Sequence, residues 1–455
     1  MVIMLNVRFV QRDTNEGTAR VNQPGVPPSL TLLGRLVAQR PLPGLDPHAA
    51  AALDGAIRSC MTAIALGGFE ERRIVPIAAG LASRLGASPA GDVLYAMSDA
   101  VLMGTLGAAA DLDPLDAGPA HLALPAVAAV LAASGLRPGA ESSLADAVCI
   151  GMEAGARLRA CVGQVRPGIG FHSAGTFGVV AAAAGVAVLL GLNEDQATNA
   201  CGIALTRAAG LASNNAMTDI GLTHFGWAAA HGLEAAWLAT LGYTANTNLG
   251  QIAKSLFPGS QVTLDALAPD VPLSWPSRII FKNYPCNIYL NPLVAILRGN
   301  GHEAFAHVLV EMPPVTHLDN PVASGARQMR NSAQAVAAIA GCLPCHYDSF
   351  TGTQLEANAT TIGRLMSDAV AVVQSPGGST DLLDAEVRVT LTAADGSAST
   401  HVRKVAQTET WDAAVAARVV GSAPYAGTIR ALSGLPYAEA ARLLRRELIS
   451  SAMHD

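Results

Sequence analysis

The sequence predicts a mainly α protein, with a large all-helical domain followed by a smaller α+β domain, on three observations. Residues 29–250 run as Ala- and Leu-rich segments broken by Gly, Pro and Asn, with little β-branched alternation, the pattern of packed helices. Near Pro272 the composition shifts, because SWPSRIIFKNYPCN brings prolines, aromatics and β-branched residues into a chain that had few of them. At 455 residues the chain exceeds one ordinary core, so a second domain is expected.

Each element follows in chain order. The first 29 residues read as a ragged, polar-to-Pro leader, without the apolar core and cleavage site of a secretory signal. In SSLADAVCIGMEAGARLRA, Ser143 with Asp146 offers a helix cap. Val148, Gly151, Met152, Gly155 and Leu158 fall on one stripe while Glu153, Arg157 and Arg159 face elsewhere, which predicts a helix packed on one side. Residues 173–192 carry no charge and have about the length of a bilayer span, but half are Ala or Gly and they begin beside His172, so a buried core helix is expected. Asn193 with Gln196 forms a capping-box signature.

Beyond Pro272, residues 306–312 read as a strand. Residues 385–392, then Asp395-Gly396, then 400–406 read as a β-hairpin. Helices are expected over 324–342 and 361–373, with a turn at SPGGS (375–379), and the segment 436–448 is an amphipathic helix able to return to the first domain. The expected limits are 1–271 with 407–455 for the helical domain, and 272–406 for the α+β domain.

Composition excludes several classes. Apolar residues make up 51% and charged residues 14%, against a disordered chain. A net charge of -6 with both signs interspersed argues against nucleic acid, and nothing argues for a membrane partner. Seven scattered cysteines in a chain without an export signal fit reduced thiols in the cytoplasm. CLPCH (342–346) matches a haem-attachment pattern, but nothing exports the chain, and no second Cys/His pair completes a zinc site. No metal and no cofactor is expected. Cys286, beside Pro285, reads as buried rather than nucleophilic.

The blocks GFHSAGTFGVVAAAAGVAVLLGLNEDQATNACGIALTRAAGL (170–211) and THFGWAAAHGLEAAWLATLGYTANTNLG (223–250) resemble the central region of the MmgE/PrpD family. The similarity runs over roughly the first 290 residues, and the C-terminal third is similar mainly in layout. The family includes 2-methylcitrate dehydratase, cis-aconitate decarboxylase and iminodisuccinate epimerase. The resemblance implies a metal-free enzyme acting on a small carboxylic acid, a helical domain capped by an α+β lid, a cleft between them, and a homodimer.

Residue by residue, Asp111 and His121 of ADLDPLDAGPAHLALP stand where the family has an Asp and a His about ten residues apart. Between and beside them Pro114, Leu115 and Leu122 replace an acid, a Thr and a Pro. His172 and Lys282 match the family's histidine and its lid lysine. A family lysine falls on Gly221, with His224 and Gly226 keeping their places, while a His falls on Asn287 and a Tyr near Ala335.

Dehydration, decarboxylation and epimerisation all move a proton at a carbon beside an acid group, and imidazoles suit that task at neutral pH. His121 and His172 are therefore expected as a donor–acceptor pair, with Asp111 orienting one imidazole. Lys282 is expected to hold a carboxylate and stabilise enolate-like charge. Ser173 and the backbone at Gly175 would add donors to an anion, and His224 and Asn287 complete the substrate-binding set. Each also has a bland reading: Asp111 as a loop carboxylate, Lys282 as a solvated lysine, His224 as a core histidine bonded to a carbonyl. The preferred reaction is dehydration of a hydroxy acid, with decarboxylation or epimerisation as alternatives and a non-catalytic binding protein as the remotest. The losses at Gly221, Asn287 and Ala335 imply a substrate less anionic than a tricarboxylate, because each unpaired buried charge is costly.

Overall fold

The computed structural model describes residues 30–39, 44–70, 93–137, 143–163, 170–215, 218–260, 262–268, 272–299, 305–421 and 426–453. The leader before Leu30 lies outside the described residues. Helices Pro47–Glu70, Val93–Ala110, Ala123–Ala133, Leu144–Cys161, Val179–Leu190, Glu194–Thr206 and Ile220–Thr240 pack into one helical body. Small residues set their spacing. A Cβ on Gly104 would sit 2.7 Å from the Gly226 Cα, and one on Gly226 would sit 2.3 Å from the Val101 carbonyl oxygen, so Val93–Ala110 and Ile220–Thr240 meet backbone to backbone.

The expected core helix at 173–192 is present as a π-helical turn, Ala174–Gly178, running into Val179–Leu190, whose residues up to Leu189 are buried. The next helix, Glu194–Thr206, opens with the Asn193–Gln196 capping box, both bonds formed. Among the described residues two helices, 47–68 and 93–110, are long and apolar enough to cross a membrane, and 78% and 61% of an apolar 18-residue stretch in each are buried against the rest of the protein.

Four local readings are corrected. Ser143 precedes Leu144–Cys161, but its side chain makes no capping bond. That helix is not packed on one side only. Glu153 and Arg157 are buried, 2.6 Å apart, with Glu153 accepting from the backbone N–H groups of Ser274 and Trp275 and Arg157 donating to the Ala268 carbonyl. Paired charges on successive turns can be buried where single ones cannot, and the stripe pattern could not register that. The expected helix 324–342 is two helices, Gly325–Arg330 and Ala333–Cys342. The Ser332 hydroxyl, accepting from the Ala335 N–H at 3.1 Å, starts a new helix there. The helix expected at 361–373 ends at Asp368, because the β-branched run of Val370–Gln374 pairs as a strand instead.

The strands are β1 (Leu115–Asp116), β2 (Ile279–Ile280), β3 (Phe305–Met312), β4 (Val370–Gln374), β5 (Glu386–Ala393) and β6 (Ala398–Lys404). The last four form one sheet in the order β4-β3-β5-β6, with β3 parallel to β4 and the other neighbours antiparallel. β3 and the β5–β6 hairpin lie where the alternation places them. A second hydrophobic core lies under this sheet, built from residues such as Leu293, Val310, Ile339 and Val389. Trp411, Val415 and Leu444 pack into the body core instead, so the final helix, Tyr437–Met453, returns to the body.

The contact that matters most for the site is small. β1 pairs antiparallel with β2, Leu115 opposite Ile280 and Asp116 opposite Ile279. The Arg278 guanidinium donates two bonds of 3.1 Å to the Asp116 carboxylate. This clamp fixes the loop after Val93–Ala110 against the segment that carries Lys282.

Candidate active site

Val93–Ala110 ends at Asp111, which adopts a left-handed backbone (φ 54°), a conformation that Asp tolerates better than most residues. From there the chain turns to present Asp111 and Asp113, while the β1–β2 clamp brings Lys282 opposite. The Lys282 ammonium lies 2.5 Å from Asp111 Oδ1 and 3.1 Å from Asp113 Oδ1. The other Asp113 oxygen meets His121 Nδ1 at 2.6 Å. Lys282 and Asp113 are both almost fully buried.

Burial alone would push the Asp113 carboxyl up, but Lys282 and His121 outweigh it and hold the group well below the usual carboxylate range. Burial would lower the Lys282 ammonium, but Asp111 and Asp113 raise it above its ordinary value. Asp113 is thus an ionised acceptor, so His121 turns its Nδ1–H toward it and presents Nε2 to the cavity.

His172 stands behind His121, ring centroids 5.1 Å apart, and Phe225 packs edge-on against both rings. Its Nδ1 lies 3.3 Å from His224 Nδ1, and its Nε2 is buried without a hydrogen-bond partner. Burial, the neighbouring imidazoles and Arg327 hold His172 well below an ordinary histidine, and burial with Arg327 lowers His224 too. His172 is therefore a neutral imidazole at pH 7.

Five residues take roles that differ from expectation. Asp111 does not orient an imidazole; Asp113, two residues along, does so, and Asp111 pairs with Lys282. Lys282 is shared between two acids instead of standing ready for a substrate carboxylate. Ser173 accepts from the His121 N–H at 3.2 Å, and the Gly175 N–H donates to the His172 carbonyl, so both serve the imidazoles. Gly175 is required by packing, since a Cβ would sit 1.8 Å from the Ala209 carbonyl oxygen. Asn287 lines the cavity, but its amide accepts from the Tyr289 N–H and donates to Asn331. The bland reading of His224 changes as well, because its ring partner is another imidazole rather than a carbonyl.

These groups enclose a cavity of about 50 Å³ between body and lid, walled by Asp111, Asp113, His121, Phe225, Lys282 and Arg327 among others. A larger hollow of about 270 Å³ around Tyr284, Arg298 and Arg403 has no histidine or lysine among the described residues of its wall, so the chemistry belongs to the smaller one. Cys286 is fully buried, which pushes its thiol well up and makes it a poor nucleophile.

Residues 61–257, which carry all of this arrangement except Lys282 and its lid neighbours, match the MmgE/PrpD N-terminal domain. The chain is similar to a cis-aconitate decarboxylase-like protein of Aspergillus oryzae, 37% identical over 153 residues, which is 32% of each chain. It is similar also to cis-aconitate decarboxylase of Mus musculus, 26% identical over 183 residues, 37% of each chain. The matches span about a third of the length of these relatives.

The departures from the family's residues have visible local reasons. Leu115 forms β1 and packs in the lid core. Ala335 is buried in that core and offers the site nothing. At Gly221 a Cβ would lie 2.3 Å from the Asn215 carbonyl oxygen and 2.7 Å from the Arg327 guanidinium, so a lid arginine fills the space beside it. Asp113, Phe225 and Arg327 were absent from the sequence-derived set. Asp113 sits in the same ADLDPLD motif as Asp111, and the acid pair was the available signal; the other two needed the fold.

Proposed function

We propose that this protein is a lyase acting on a small carboxylic acid, and that it works without a metal by moving a proton at a carbon beside an acid group. One observation carries the reading: a single buried carboxylate, Asp113, bonds both the Lys282 ammonium and the His121 imidazole at the wall of the cavity. The ammonium supplies fixed positive charge where enolate-like charge develops. The imidazole, its tautomer set by Asp113, exchanges a proton through Nε2.

Between reactions, similarity to two proteins named for cis-aconitate decarboxylation favours decarboxylation over the dehydration preferred from sequence. In that reaction the bond to the departing carboxylate breaks and carbon dioxide leaves. The electron pair spreads onto the remaining conjugated acid, and His121, when protonated, returns one proton to carbon. Dehydration is the second reading, favoured by the neutral His172 behind His121, because removing a proton and protonating a leaving hydroxyl requires two proton carriers.

Incubation of the purified protein with cis-aconitate and with C4–C6 hydroxy acids in deuterated water separates the outcomes by mass spectrometry. Loss of carbon dioxide supports the first reading and loss of water the second. Deuterium uptake without mass loss indicates epimerisation, and no change with any acid sinks the lyase proposal. A homodimer in the cytoplasm is part of the same proposal, and sedimentation equilibrium reads the copy number directly.

A further inference from the structure

Both imidazoles of the site are tied at Nδ1, one to a charged partner and one to a neutral partner. His121 Nδ1 faces the ionised Asp113 carboxylate at 2.6 Å, whereas His172 Nδ1 faces His224 Nδ1 at 3.3 Å. His224 projects from the body helix Ile220–Thr240 and is buried. Gly210 sets the two rings relative to one another. Its carbonyl accepts from the His172 backbone N–H at 2.8 Å, and a Cβ on it would lie 3.0 Å from His224 Cγ. Its backbone is left-handed (φ 92°), which favours glycine there as well.

Two neutral rings that meet nitrogen to nitrogen share one proton, and the ring that donates it fixes where each keeps its other nitrogen free. If His224 donated, His172 would carry its proton on Nε2, which is buried without a hydrogen-bond partner among the described residues. That would strand an N–H in a dry site, and buried donors without an acceptor are rarer than acceptors with a lone pair to spare. If His172 donates, its Nε2 keeps a bare lone pair, and the His224 proton sits on His224 Nε2, which is not one of the buried unpartnered atoms. We infer that His224 is a positioning residue: it accepts the Nδ1–H of His172 and so leaves His172 Nε2 as an unprotonated, basic nitrogen beside His121.

The surrounding charges agree with this state. The groups that act on His172 are His121, His224, Arg327 and Asp113, and of these Asp113 alone favours a second proton on the ring. Asp113 is already bonded to His121 and Lys282, so His172 stays neutral, the form of an imidazole that can take a proton. The inference rests on the lyase reading for the use of that lone pair, as one of the two proton carriers a dehydration requires, but its test reads the position of the proton directly.

Side-chain nitrogen NMR on the full-length protein, isotope-labelled at histidine and with His172 assigned by comparison with His172→Gln, reports which ring nitrogen is protonated. Wild type is expected to show His172 protonated at Nδ1 and bare at Nε2. His224→Leu removes the acceptor, and a mixture of both tautomers is expected. With whichever acid the enzyme turns over, kcat should then fall about ten- to a hundredfold while KM changes little. His224→Asn, whose amide oxygen can accept the same bond, is expected to keep the tautomer and most of kcat, and it covers the case in which the leucine variant does not fold.

A His172 proton found on Nε2 in wild type overturns the inference. So does a His224→Leu variant whose tautomer is unchanged, or one whose tautomer changes while kcat holds. A wild type with the proton on Nδ1 that turns over no acid keeps the tautomer assignment and sinks the lyase reading instead.

Discussion

Asp113 divides one carboxylate between an ammonium and an imidazole, and its ionisation sets the state of both partners. Asp113→Asn keeps the shape but removes the acceptor that fixes the His121 tautomer. The rate of product formation should fall by about 10²–10⁴-fold, and a variant retaining a tenth of wild-type activity would remove Asp113 from the mechanism. The same residues predict a pH window for stability. His172 is held neutral when folded but takes a proton near pH ~6.5 when unfolded, so the unfolded chain binds more protons as pH falls. Stability should decline below about pH 6.5, by at most about 1.4 kcal/mol per pH unit for each such histidine. Asp113, held low, adds stability that is present above about pH 4 and lost in stronger acid. Lys282, held high, adds stability that is full below about pH 10 and lost at higher pH. Urea midpoints from pH 5 to 8 check the histidine part, and His172→Gln should flatten the slope there.

Two short strands do at the element scale what no single residue could. β1 and β2 pair only two residues each, yet they hold the acid loop against the lysine segment, with Asp116 and Arg278 closing the clamp. Arg278→Met would leave the Asp116 carboxylate buried without its guanidinium. Since Arg278 is partly exposed, the cost should be modest, about 1–3 kcal/mol. The larger effect should appear in activity, because misplacing Lys282 by an ångström costs on the order of a hundredfold. Urea unfolding and kcat/KM measured together test this. A loss in stability with unchanged kcat/KM would show that the clamp is not what positions the site.

At the scale of the whole molecule, the segment that leads from body to lid is held to the body by a polar link as well as by the clamp. Glu153 on the body helix Leu144–Cys161 accepts from the backbone N–H groups of Ser274 and Trp275, on the segment that leads to β2, while facing Arg157. Glu153→Gln removes the negative charge from a fully buried pair. A loss of about 3–5 kcal/mol is expected, seen as a fall in Tm by calorimetry, and a fall under 1 kcal/mol would mean the pair holds little. The cavity lies where these two parts meet, so its size depends on how tightly they close.

The sequence by itself determined most of the helices, the β5–β6 hairpin, the Asn193 capping box, and four side chains, Asp111, His121, His172 and Lys282, that the fold gathers into one region. The helices, hairpin and cap were legible because periodicity, turn chemistry and capping act over a few residues; the four side chains were picked out through the resemblance to the MmgE/PrpD family, helped for Lys282 by the scarcity of lysine in this chain. Tertiary structure decided what the patterns could not hold. It turned 370–374 from helix to strand by offering β3 as a partner, and it buried Glu153 by supplying Arg157 and two backbone donors. It gave the imidazole to Asp113 rather than Asp111, and set Arg327 beside Gly221. In each case the deciding partner lies on another element or depends on how a loop is held, and the free energy of a buried charge or an unpaired strand is fixed by what stands next to it in space.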